Sequence, residues 1–182
     1  MMKYIFIVGM AIVPPTSLSM SYDQQLLYAA KQNKRKVAEV SLKYATGNSC
    51  NNCSDTSLHY AASHKQSDIT CLLLAAGANP NVCNSIKLTP LHEAVIGGNN
   101  QTVKLLLNAG ANPNAQDHNG NTPLHYAVNQ GFTKIIELLL QFDAHVLLKN
   151  NELKTVFDRV RELKKPELIK LIENYQLEFE IL

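Results

Sequence analysis

The chain has 182 residues, 46% of them hydrophobic, with 17 basic and 15 acidic side chains and a formal net charge of +2. That hydrophobic share separates it from disordered chains, and the near-balance of charge supplies no overall field to draw nucleic acid or an anionic membrane. It has no tryptophan, and no apolar run reaches the roughly 18 to 20 residues of a membrane-spanning helix.

Residues 1–20 read differently from everything after them. A single charge at Lys3 leads a mostly apolar stretch, Tyr4 to Val13, followed by Pro14-Pro15 and Thr16-Ser17-Leu18-Ser19. This is the layout of a secretory signal, with Ser17 and Ser19 as the small pair before a cut near Ser19 or Ser21. An uncleaved anchor, or an apolar arm packed on the first folded unit, uses the same residues. Cleavage would remove Lys3 and leave the mature chain near +1.

Residues 21–49 predict a helical pair. Leu26-Leu27-Tyr28-Ala29-Ala30 belongs to its first helix, and Val37, Val40 and Leu42 supply the apolar face of its second. Lys31, Lys34, Arg35 and Lys36 form a solvated face, because no aromatic side chains interleave with them as a nucleic-acid patch requires. Thr46 to Asp55 is a polar, turn-rich connection containing Cys50-Asn51-Asn52-Cys53.

From there the chain repeats itself. Thr56-Ser57-Leu58-His59-Tyr60-Ala61-Ala62 returns as Thr89-Pro90-Leu91-His92-Glu93-Ala94-Val95 and as Thr122-Pro123-Leu124-His125-Tyr126-Ala127-Val128. The histidines are 33 residues apart, as are Gly77, Gly110 and Asp143. A fixed period of this length marks a stacked array of small units, each burying its apolar face against its neighbours. Thr89 and Thr122 are placed to cap helices, with Pro90 and Pro123 at the first helical position. Gly98 and Gly131 end the first helix of a unit in a left-handed conformation, and Gly110 ends a second helix. The second helices are expected to bury Val103, Leu105 and Leu106, and Ile135, Ile136, Leu138 and Leu139. The last unit keeps the period but reads Thr155-Val156-Phe157-Asp158, with Lys164 where Gly131 stood; Leu168, Ile169, Leu171 and Ile172 form its apolar stripe. Seven basic and seven acidic residues fall between Lys149 and Leu182, the charged outer face of a terminal unit. Gln176 to Leu182 is short and amphipathic, suited to packing back on the final helix or to docking elsewhere. The 18 asparagines suggest a biased genome more than a mechanism.

The 33-residue period with the T-P-L-H-x-A motif resembles the ankyrin-repeat family over about Ser21 to Tyr175. The resemblance implies an all-α solenoid of helix-turn-helix units with β-hairpin fingers. Residues 50–83, 84–116 and 117–149 are then full repeats, while 21–49 and 150–182 are degenerate caps. It also implies that His59, His92 and His125 bond the backbone of their own and neighbouring hairpins. Equivalent positions in adjacent repeats sit roughly 8 to 10 Å apart, too far to share a metal ion.

No phosphate-binding glycine loop, zinc-protease motif or nucleophile elbow occurs. His64 and Asp68 lie four apart on what reads as one helix face, with no nucleophile to join them. Cys50 and Cys53 are close enough in sequence for a disulfide if the chain is exported. A zinc site would need two more ligands drawn from His64, Cys71 or Cys83, and a redox role lacks its βαβ setting. No cofactor, no metal and no catalysis is expected; an enzyme with a site in the Cys50 to Asp55 loop is the remote alternative.

What remains is recognition of another protein, with no nucleic acid and no membrane span in the mature chain. The resemblance points to the concave face of finger tips and first helices. It implies Tyr60 and His64, with Ser63, in the first intact repeat. In the next it implies Ile86, Lys87, Glu93 and Ile96, with Ser85 and Gly97. In the third it implies His118, Asn119, Asn121, Tyr126 and Gln130, with Asn129. Solvated, non-consensus positions would look the same. A secreted or periplasmic location follows from the signal-like start. A membrane-tethered scaffold, keeping Met1 to Val13 as its anchor, and a cytoplasmic protein are the alternatives.

Overall fold

The computed structural model describes residues 21–45 and 50–179. Among these, the chain forms five helical pairs. They are α1 Tyr22–Lys31 with α2 Arg35–Ser41, α3 Ser57–Ser63 with α4 Ser67–Ala75, and α5 Pro90–Ile96 with α6 Asn100–Asn108. Then follow α7 Pro123–Gln130 with α8 Thr133–Gln141, and α9 Val156–Glu162 with α10 Pro166–Phe179. First helices stack on first helices and second on second, so the principal helix contacts run within a pair or between adjacent pairs. The apolar core is one strip between the two layers, from Leu26 through Leu58, Leu91 and Leu124 to Val156. Residues 1–20, 46–49 and 180–182, where the signal reading and the end of the tail fall, lie outside the described residues; the first part of the tail, Gln176 to Phe179, continues α10 instead of folding back on it.

The helices start where the caps demand. Thr89 and Thr122 accept the N–H of His92 and His125, three residues on, and Pro follows each cap. The helices of a pair are separated by a left-handed residue: Asn33, Lys65, Gly98, Gly131 and Lys164 all have φ between +52° and +75°. Lys34 N–H reaches Ala29 O at 2.8 Å, Gln66 N–H reaches Ala61 O at 2.9 Å, and Phe132 N–H reaches Ala127 O at 3.0 Å. This wrap satisfies the last carbonyls of each first helix, and it forms with asparagine or lysine at the bend as well as with glycine.

Three expectations shift. In the second helices Leu107 and Leu140 are buried, whereas Leu105 and Leu138 are only half-buried. The core stripe therefore runs Val103, Leu106, Leu107 and Ile135, Ile136, Leu139, Leu140, the i, i+3, i+4 spacing of a helix face. In α2 the fully buried positions are Ala38 and Ser41, while Val37, Val40 and Leu42 are half-buried, because nothing among the described residues stacks on the outer side of this first unit. The fingers are tight turns rather than β-hairpins, and the bridge between Cys50 and Thr56 is their only strand-like pairing among the described residues. The reason lies in a side chain. In each finger an Asn or Asp takes the donors a partner strand would otherwise satisfy. Asn51 Oδ1 accepts Cys53 and Asp55 N–H (2.8 Å each), and Asn84 Oδ1 accepts Ile86 and Leu88 N–H (3.1 and 3.0 Å). Asp117 Oδ1 accepts Asn119 and Asn121 N–H (2.8 and 2.9 Å), and Asn150 Oδ1 accepts Glu152 and Lys154 N–H (3.0 and 3.1 Å). Such Asx turns compete directly with ladder pairing.

Fingers are tied sideways to each other. Ser85 N–H donates to Cys53 O (3.0 Å), His118 N–H to Ile86 O (3.0 Å) and Asn151 N–H to Asn119 O (2.9 Å). The loops after the second helices are joined the same way by asparagine. Asn81 donates to Gly110 O and accepts from Asn112 N–H (2.9 and 2.7 Å), and Asn114 does so with Asp143 O and His145 N–H (2.9 and 2.7 Å). Much of the asparagine excess is thus structural, a correction to the compositional reading.

The repeat histidines fasten the layers. In each, Nδ1 accepts the N–H of the capping threonine: 3.1 Å from Thr56 to His59, 3.1 Å from Thr89 to His92, and 3.2 Å from Thr122 to His125. That leaves the proton on Nε2, which donates to the next finger: to Leu88 O (3.0 Å), Asn121 O (3.2 Å) and Lys154 O (3.3 Å). Burial, the largest cause, pushes all three imidazoles below their ordinary value, and a proton on Nδ1 would oppose the N–H it accepts. The unfolded chain therefore takes up protons first as pH falls. The stability these groups supply is complete above a pH of about 6.5, and below it is lost at up to about 1.4 kcal/mol per pH unit for each histidine. Denaturant midpoints measured from pH 7.5 down to 5 should fall, and replacing His92 with Gln should flatten that slope.

Gly110 and Gly120 are both left-handed, at φ +82° and +73°. A Cβ at Gly110 meets nothing within 4 Å, whereas at Gly120 it would stand 2.8 Å from the Asn151 backbone nitrogen. Gly110→Ala should cost only the left-handed strain, about 1 to 2 kcal/mol. Gly120→Ala should cost roughly 3 kcal/mol, because it also pushes the last finger away. Thermal unfolding of the two variants reads the difference.

Candidate protein-binding surface

The first helices and finger tips share one face of the stack. Four equivalent positions cross it in a row: Tyr60, Glu93, Tyr126 and Arg159, each one period after the last. The rows beside it carry Ser63, Ile96, Asn129 and Glu162, then His64, Gly97, Gln130 and Leu163. Because each residue stands at the same point of a helix held by the same cap, the row is as regular as the stack itself.

The predicted residues divide into two groups. Ile86 is 54% exposed, and Lys87, His118, Asn119, Gln130 and His64 are exposed; Ile96 is half-buried at the end of α5. Their side chains reach the surface, although His64 Nδ1 already bonds Tyr60 O (3.0 Å) and the backbones of Ile86, His118 and Asn119 hold neighbouring fingers. Asn121, Tyr60 and Tyr126 are committed to the fold. Asn121 accepts from His92 through its backbone carbonyl, and its side-chain oxygen accepts from Asn150 Nδ2 at 2.9 Å. The Tyr60 hydroxyl accepts from Asn51 Nδ2 at 2.9 Å, and its ring lies under Lys31 Nζ, 5.9 Å from the centroid. The Tyr126 hydroxyl donates to Asp117 Oδ2 at 2.6 Å. Burial, then this bond, pushes the Tyr126 phenol up to about 12. Each tyrosine thus buttresses its own finger while presenting part of its ring.

Glu93, between the two tyrosines in the row, is half-buried. Burial, and after it repulsion from Asp55, raises its pKa, with His64 opposing. At the far end Arg159 bonds Asn129 and pairs with Glu162 (2.8 Å), and Lys154 pairs with Glu162 (2.7 Å) and Glu152 (3.5 Å). Asn129, Glu152, Lys154 and Arg159, with Asn121, His125 and Asn150, line a polar hollow of about 110 Å³. A larger apolar hollow, about 310 Å³, lies where the loop after α8 meets α10 and Tyr175.

Sequence reasoning overlooked Asp55, Asp117, Leu153 and Arg159. The signal for two of them was present: Asn51, Asn84, Asp117 and Asn150 keep the period, as do Tyr126 and Arg159. Leu153 is 75% exposed at the tip of the last finger, with φ +60° where the preceding finger has Gly120.

The remaining chemical readings resolve simply. His64 caps the end of α3 while Asp68 sits in α4 and pairs with Arg35 at 3.0 Å, so the two do not share a helix face. Cys50, Cys53, Cys71 and Cys83 are exposed free thiols. Among the described residues no group of three or more His, Cys, Asp or Glu is placed to hold a metal ion, and no helix is long and apolar enough to cross a membrane.

Comparison with known proteins agrees with this architecture. A family model described as ankyrin repeats, in three copies, matches residues 58–150, just over half of the chain. No curated protein matches it. Ankyrin repeats generally mediate protein–protein interaction and are typically non-catalytic. With its period, caps, histidine fastenings and fingers accounted for, the chain belongs to the ankyrin-repeat family.

Proposed function

We propose that the chain is a non-catalytic binding module that takes its protein partner on the concave face formed by first helices and finger tips. The observation that carries this reading is the division of labour along that face. The elements are rigidly tied by backbone bonds, yet Ile86 and Leu153 project from the finger tips at 54% and 75% exposure. Apolar side chains held in water by an ordered turn are suited to anchor an interface, with polar neighbours such as His118 and Gln130 as an adaptable rim. A photo-crosslinking amino acid at position 86 should yield a protein adduct in native cells, and one at Lys104, exposed in α6, should not. Adducts from 104 with none from 86 would overturn the concave-face reading. Ile86→Asp should weaken the captured partner at least roughly tenfold with thermal stability unchanged, since its side chain buries little.

We propose also that residues 1–20 direct export and are removed. The capping box of α1 supports this: Ser21 accepts Gln24 N–H (3.2 Å), and Gln24 Oε1 accepts Ser21 N–H (3.0 Å). A cut near Ser19 leaves this helix start intact. Outside the reducing cytosol, Cys50 and Cys53 would pair within their turn. Intact mass and N-terminal sequencing, with and without thiol alkylation, test both steps. A start near Ser19 to Ser21 with two thiols lost is expected, and a chain starting at Met1 with four free thiols would sink the proposal.

A further inference from the structure

We propose that the binding face takes its partner through a basic side chain, lysine or arginine, seated on the Glu93 carboxylate and flanked by the rings of Tyr60 and Tyr126. This rests on the concave-face reading and adds the chemistry of the partner.

Charge is unevenly distributed over the face. Asp55, Glu93 and Asp117 stand on neighbouring units of the face: Glu93 is within electrostatic reach of Asp55, and the Tyr126 phenol within reach of both Asp117 and Glu93. None of the three has an ion pair among the described residues. Their recorded bonds come from neutral donors. Asp55 accepts from Asn84 Nδ2 (2.8 Å) and Asn51 Nδ2 (3.3 Å). Asp117 accepts from two backbone N–H groups and the Tyr126 hydroxyl. Of the cations on the face, Arg159 and Lys154 pair with Glu162 and Glu152 and Lys31 stands above Tyr60, while Lys87, exposed at a finger tip, makes no ion pair with Asp55, Glu93 or Asp117. A half-buried carboxylate facing a second carboxylate is penalised until a cation reaches it, and a partner's ammonium or guanidinium would relieve that penalty.

The rings are a second and independent feature. Lys31 Nζ already stands 5.9 Å from the centre of the Tyr60 ring, so a ring of this row holds a cation within the chain itself. Tyr126, two periods along, has no cation recorded over its ring; His92 meets it edge-on at 6.0 Å. A carboxylate between two tyrosines combines charge with the negative faces of aromatic rings, which suits lysine or arginine better than any neutral side chain. Both tyrosine hydroxyls are tied to finger residues, so the rings are held in place before a partner arrives.

The test uses the whole chain, isotope-labelled, titrated with the peptide Ac-Gly-Arg-Gly-NH2 and with the same peptide carrying citrulline, the neutral isostere. Amide shifts at residues 60, 93 and 126 are expected for the arginine peptide, with affinity reduced roughly tenfold for citrulline and weakened by salt. Glu93→Gln keeps the shape of the site and should abolish the difference between the two peptides. Equal binding of arginine and citrulline by the unaltered chain, shifts that avoid these residues, or undiminished discrimination in Glu93→Gln would overturn the proposal. If position 86 still crosslinks a partner in that event, the concave face stands and only the basic side chain falls. If it does not, both fall.

Discussion

A threonine, a histidine and a carbonyl carry the whole array. The imidazole accepts from the backbone at the start of its own helix and donates to the carbonyl before the next one, so a single side chain caps one unit and positions another. Only a neutral imidazole with its proton on Nε2 can do this, since the two nitrogens must play opposite roles. Burial enforces that state by disfavouring charge. The end of the array follows from the same logic. Asp158 stands where the histidines stood and accepts from Thr155 N–H and hydroxyl at 2.9 and 2.7 Å, but an ionised carboxylate has no proton to pass on. Capping survives there and propagation stops.

Around this fastening, asparagine and aspartate do the work that β-strands do in other proteins. One row organises each finger from inside, and another joins the loops behind the second helices. Backbone bonds between neighbouring finger tips complete a lateral strip only one bond wide per unit. Every connection is therefore local in the stack, which leaves the outward side chains of fingers and first helices without a structural duty. Where Tyr60 and Tyr126 do have one, it is carried by the hydroxyl, and the ring remains on the surface. The Glu93 carboxylate has no ion pair among the described residues, and its position between two rings is what gives the face a chemical preference.

The fold was readable because the period is covalent: every 33 residues the chain must return to the same place in the stack, so caps, left-handed bends and buried leucines recur at that spacing. The candidate face was only partly readable. Ile86, His118 and Gln130 could be placed on it from the motif alone. That Asn121 is consumed by the fold, or that Tyr126 is fastened to Asp117, depends on partners 4 to 29 residues distant whose approach no local pattern encodes. The β-hairpin expectation failed for a related reason, since it counted turn residues without asking where their side-chain oxygens would go.

By itself, the sequence determined the architecture of this protein, its helical pairs, their caps and the order in which they stack, because those follow from local chemistry repeated at a constant interval. The tertiary structure decided which polar residues are structural and which stay on the surface. That distinction is set by distances between neighbouring units, where a hydrogen bond is made or missed by a fraction of an ångström. It also decided where charge goes unanswered. Asp55, Glu93 and Asp117 are far apart in the chain, and only the stacking of three units brings them to one face, where none of them has an ion pair among the described residues.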